Sequence, residues 1–284
     1  MLYSYVSLEE LMDLKENVMR TLVKGIIAGI LCLGSSVANA TLVTQWEYEV
    51  FSEWTGATFS SGGGLVSQDQ SEISWGYQLG DHENQAAIPS AARSALVISN
   101  SPATGNNMVT GSGIPTLTNI ITHWNNTLSN TFKTLVGAEL KTTLKLKPFL
   151  PVAAGDFLPA KVIDFTIKFT ETANSASCGF DSVSVCDDIF VITVGNLSDF
   201  FWYDGVKYTT NIIETTLSLT GLSPAACAKA NSPAGCFGFK TEEQKATAAN
   251  FAILIDAEVS EPSGLAILGL SLVGFVLYRR RMIK

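Results

Sequence analysis

The chain has 284 residues, 15% of them charged, and a formal net charge of −8. Residues 41–260 carry 21 acidic and 11 basic side chains, a balance of −10 with no basic patch. Such a body repels nucleic acid and anionic lipid headgroups, which are bound through Lys/Arg clusters, so neither is expected as its partner.

Residues 1–18 hold Glu9, Glu10, Asp13 and Glu16, an acidic set where an exported chain should begin basic. The simplest reading is that translation starts at Met19 and that 1–18 is an over-extended gene reading. Arg20 and Lys24 then make a basic n-region, 25–33 is an uncharged h-region, and Ala38 and Ala40 supply the small residues read by signal peptidase. Residues 19–40 are therefore expected to be a signal peptide cut after Ala40. Its apolar run is shorter than the ~20 residues a spanning helix needs.

After Thr41 the hydrophobic pattern is mostly of strand type. Residues 46–51, 140–147 and 162–169 alternate apolar and polar side chains, the period of a half-buried antiparallel strand. Residues 189–194 and 251–259 read as more deeply buried strands. Turn signals fall at 61–64, 100–113, 148–159 and 204–205, and the stretch 60–113 is poor in charge and rich in Gly, Ser and Asn. Residues 225–230 and 242–249 are each expected to form a short helical turn. Without an internal repeat or a linker, 41–258 predicts a single all-β domain, an antiparallel β-sandwich or jelly-roll-like body.

Within it, Thr122, His123, Trp124 and Asn125 form the most distinctive polar cluster. On a strand, His123 and Asn125 share a face and can bond each other, a sugar or a metal, or fix the loop after 111–113. The chain has only two histidines, His82 and His123, so a catalytic triad has few possible bases. No nucleophile elbow, zinc-protease helix or phosphate loop occurs, and no catalytic residue, cofactor or enzymatic activity is inferred.

Of the five cysteines, Cys32 lies in the signal peptide and four remain for the body. Four allow three connectivities. The local one, Cys178–Cys186 with Cys227–Cys236, closes two small loops and restricts the unfolded chain by roughly 2.6 kcal/mol each on a loop-entropy model. Zinc is the rival, but neither pair has the usual two-to-four-residue spacing. Asp187 and Asp188, with Asp181 and Asp199 near in sequence, are weak Ca²⁺ candidates lacking the usual calcium-loop pattern. Trp124, Trp202 and Tyr203 are the aromatics that could stack on sugars.

The end of the chain has three parts. Ser260, Glu261 and Pro262 precede fifteen uncharged residues, 264–278, and Arg279, Arg280 and Arg281 follow. As a helix this run would be roughly 22 Å long, short for a bilayer core of ~30 Å, and its arginines should stay cytoplasmic with the body outside. This tripartite end resembles the PEP-CTERM sorting signal read by exosortases, with Ser260 in place of the usual first proline. The resemblance implies a sorting domain at 259–284, processing near 260–262 and delivery to the cell surface or exopolysaccharide matrix.

Thr122, His123 and Asn125 resemble the signature of the THxN family of PEP-CTERM proteins, as do 165–172, 186–190 and 236–242. That family implies localisation but no reaction, so the role of the signature is open. The leading expectation is a non-catalytic exported protein associated with exopolysaccharide and with biofilm or floc structure, whose partners are signal peptidase, exosortase and, transiently, the membrane. A carbohydrate-binding module is the alternative, and an extracellular hydrolase with clustered carboxylates the third.

Overall fold

The computed structural model describes residues 41–77, 93–153, 155–174, 177–193 and 197–258. The expectations for 1–40, for His82 and for the tail at 259–284 lie outside the described residues. Leu42–Val259 is one compact unit. It is built almost wholly of antiparallel strands in two curled sheets.

In chain order the strands are β1 Gln45–Phe59, β2 Leu65–Gln68, β3 Glu72–Gly76, β4 Arg93–Ser99, β5 Ala103–Val109, β6 Thr116–Trp124 and β7 Leu135–Leu150. They continue as β8 Lys161–Thr170, β9 Asp188–Thr193, β10 Ser198–Tyr203, β11 Val206–Glu214, β12 Thr220–Gly221, β13 Phe237–Thr241 and β14 Ala246–Glu258. The first sheet runs β12-β13-β9-β8-β7-β1-β5 and the second β10-β11-β14-β6-β4-β3-β2.

Alternation sets the inner faces. Along β1, Trp46, Tyr48, Val50, Ser52 and Trp54 are buried while the residues between them are only partly covered. The pairing of β1 with β7 slips between Trp54 and Gly56 and again between Thr58 and Phe59. Such bulges bend a strand and increase its twist, which lets this long pair curl.

Both sheets contribute to two shared cores. One joins Trp54, Leu140, Phe165, Phe169 and Phe190 of the first sheet to Ile73, Trp75, Leu96 and Ile121 of the second. The other gathers Trp46, Leu144 and Leu146 with Val206, Tyr208, Ile253 and Ile255. A third, smaller cluster sits under the helix α1, Pro224–Lys229, and the backs of Ile189 and Val191. Ser223 starts that helix by accepting a bond from the Ala226 N–H at 3.2 Å, and Pro224 follows it, where a missing N–H costs nothing.

The local disulfide pairing is the one formed: Cys178–Cys186 and Cys227–Cys236. Asp204 and Gly205 make the tight β10–β11 turn with φ of 47° and 76°, the left-handed pair that a two-residue hairpin requires. Three expectations need correction. The helical turn at 242–249 is a turn followed by β14, because residues 246–249 pair with β6 and sheet pairing outweighs the helix preference of alanine. The turn region 100–113 contains β5, whose polar residues are held by pairing with β1. The turn region 148–159 starts late, since β7 continues to Leu150 against Gln45.

Candidate functional site

The polar cluster begins at β6. Its alternation turns Ile121 and His123 inward, while Thr122 and Trp124 stay half-buried on the other face. His123 is fully enclosed: its ring stacks on Trp75 at 6.1 Å and 10°, and meets Phe169 edge-on at 4.8 Å and 73°. Trp75 belongs to the second sheet and Phe169 to the first, so the imidazole lies at the seam between them.

Two carboxyls close the seam from the first sheet. The Trp75 indole N–H donates to Glu171 Oε2 at 2.8 Å. Asp188 Oδ1 accepts the Thr172 N–H at 2.8 Å, and its Oδ2 lies 3.8 Å from His123 Nε2, too far for a hydrogen bond. Glu171 Oε1 and Asp188 Oδ2 are both buried without a hydrogen-bond partner, and each carboxyl acts electrostatically on the other.

Burial sets the charge state. It pushes the Glu171 carboxyl up to about 8, against the Trp75 indole bond that pulls it down. Asp188 rises well above the usual carboxylate range, through burial first and then through Glu171 beside it. Burial pulls His123 down to about 3. Burial thus favours the uncharged form of all three groups, the neutral imidazole and the protonated carboxyls.

Asn125 closes the end. Its backbone N–H donates to the Lys245 carbonyl at 2.9 Å, and its Nδ2 to the Thr241 carbonyl at 3.0 Å and Glu243 Oε1 at 3.4 Å. Thr241 pairs directly with Asp188, so Asn125 and His123 grip the same strand end from two sides. The expected bond between His123 and Asn125 is not among those formed, nor does either residue fix the loop after 111–113. Both are 0% exposed, which removes them from any glycan-contacting surface.

The remaining candidates scatter. Asp187 is spent on its own loop: Val183 N–H and Ser184 N–H donate to its carboxylate at 2.9 and 2.8 Å. Those bonds and the Ser184 hydroxyl outweigh burial and hold Asp187 below its ordinary value. Its neighbour Asp188 turns the opposite way into the core, so the two do not form a joint Ca²⁺ site. Asp181 bonds Lys240 and Asp199 bonds Lys161. Among the described residues no group of three or more His, Cys, Asp or Glu is placed to hold a metal ion. Trp202 is 64% exposed on the edge strand β10, whereas Trp124 and Tyr203 are only partly so.

A carboxyl pair thus exists, but with oxygens buried away from solvent. A glycosidase needs its two carboxyls ~5 Å or more apart and open to a sugar, and these buried oxygens offer a sugar no approach. The cluster can store protons and tie two sheets together. Glu171 and Trp75 had no role in the sequence reading. Glu171 was legible in principle, because it continues the inward phase of Phe165, Ile167 and Phe169.

The chain matches no family model and no curated protein.

Proposed function

We propose that the chain is an exported, non-catalytic surface or matrix protein. In this reading residues 19–40 direct export, the tail at 259–284 arrests the chain in the membrane for an exosortase-type processing step, and the body associates with exopolysaccharide. The observation that carries it is the pair of disulfides in the body, which fit an oxidising compartment outside the cytoplasm. The three-part tail and the acidic charge of the body support it. The shared cores support the finer reading of the fold as a β-sandwich with jelly-roll-like crossings.

The signature residues His123 and Asn125 then serve the fold rather than a ligand, since both end in a closed core. Intact-mass measurement on native protein washed from the cell exterior tests the reading. The expected mass begins at Thr41, ends near 260–262 and lacks two hydrogens for each disulfide. Native protein found only in the cytoplasm, with free thiols, would refute it.

A further inference from the structure

Both ends of the body emerge at one pole. The Val43 N–H donates to the Tyr208 hydroxyl at 2.7 Å, and Tyr208 pairs with Ala257, one residue before the end of β14. The same pole ties Thr110 to Thr44 and Thr44 to Leu150, each at 3.0 Å, and Gly111 to Ile255 at 2.8 Å. Trp202 lies there too. It pairs with Lys207, and Lys207 with Glu258, so it stands two strands, about 10 Å, from the last described residue.

Beside Trp202 opens a cleft of about 270 Å³ walled by Leu144, Leu146, Leu158 and Pro159, with Lys161 at the rim. Val152 and Ile114, 70% and 74% exposed, sit on neighbouring loops. The six Cα steps from Glu258 to Gly264 reach at most ~20 Å even when extended, so a tail held in a bilayer keeps this pole at the membrane surface. Tryptophan prefers the headgroup level, where its ring is half in apolar and half in polar surroundings. The lysines here are already paired, Lys161 with Asp199 and Lys207 with Glu258, so charge would not draw the pole to lipid.

We propose that, while the tail is attached, this pole rests on the phospholipid bilayer surface with Trp202 seated among the headgroups. The inference rests on the tail reading given above. Its occupant is the bilayer, presented by the chain's own anchor, and the contact is apolar, so added salt screens the body's repulsion from anionic lipid and does not weaken the contact.

The test uses the full chain in phosphatidylethanolamine–phosphatidylglycerol vesicles whose acyl chains carry bromine close to the headgroup. Bromine quenches tryptophan emission on contact. Trp202→Phe should lose most of that quenching, whereas Trp124→Phe and Leu217→Ser should keep it; Leu217, 81% exposed, follows β11 far from Glu258 along the sheet. Circular dichroism confirms that each variant folds. Quenching unchanged in folded Trp202→Phe, with the chain resistant to carbonate extraction, overturns this proposal alone. A chain that carbonate extracts overturns the tail reading and this proposal with it. Trp202 emission that responds to added exopolysaccharide and not to bromolipid also overturns it, in favour of a glycan contact.

Discussion

At the scale of single residues, the seam cluster concentrates several costs in a few side chains. Asp188→Ala removes the acceptor of the buried Thr172 N–H and leaves a small cavity beside His123. An orphaned buried donor and the small cavity each cost about 1–3 kcal/mol, so a loss of roughly 2–5 kcal/mol is expected in urea unfolding. Asn125→Ala frees the Thr241 carbonyl and loosens the turn between β13 and β14, at roughly 1–3 kcal/mol. Thr122→Ala, on the opposite face, should stay within about 1 kcal/mol, which would separate the signature into two structural residues and one that is not. The sequence showed His123 and Asn125 as an outstanding pair but not their partners. Trp75 and Asp188 come from 48 residues before and 65 after His123, and no local pattern records such a meeting.

The elements follow from alternation where one strand face meets solvent. β1, β7 and β8 were therefore readable in the chain, and so was the two-residue turn at Asp204 and Gly205. β3 and β4 were not, because nearly all their residues are buried and the period of two disappears. β5 failed for the opposite reason: its Thr, Gly and Asn residues look like a loop, and only its pairing with β1 makes it a strand. Close approach of two strands makes another testable point. A Cβ on Gly238 would run into the Phe190 carbonyl oxygen, whereas one on Gly221 meets nothing within 4 Å. Gly238→Ala should push β13 from β9 and cost more than about 3 kcal/mol, and Gly221→Ala less than about 1. Thermal melts of the two variants side by side would show the contrast.

For the whole molecule, the seam makes stability depend on pH from both directions. Glu171 has its carboxyl raised from 4.5 to about 8, so its contribution is complete below pH 4.5 and is lost as pH climbs through 8. His123 is lowered from 6.5 to about 3, so its contribution is complete above pH 6.5 and is lost as pH falls through 3. Between pH 4.5 and 6.5 those two slopes oppose each other, and Asp188, also raised by burial, adds to the Glu171 side. Urea titrations should therefore show stability falling as pH rises from 6.5 to 8, where no His123 slope offsets the two carboxyls. Glu171→Gln should flatten much of the alkaline limb while leaving the acid limb in place. A wild-type chain whose stability rises from pH 6.5 to 8 would contradict the protonated seam. The cysteines carry a consequence for biogenesis. Each bridge spans only 8 or 9 residues, and each joins a thiol to the very next one along the chain. If the polypeptide crosses a membrane amino end first, an oxidant that simply couples thiols in their order of arrival produces the native pairs. Such a protein can mature without a disulfide isomerase, and cells lacking that helper should still secrete it correctly cross-linked.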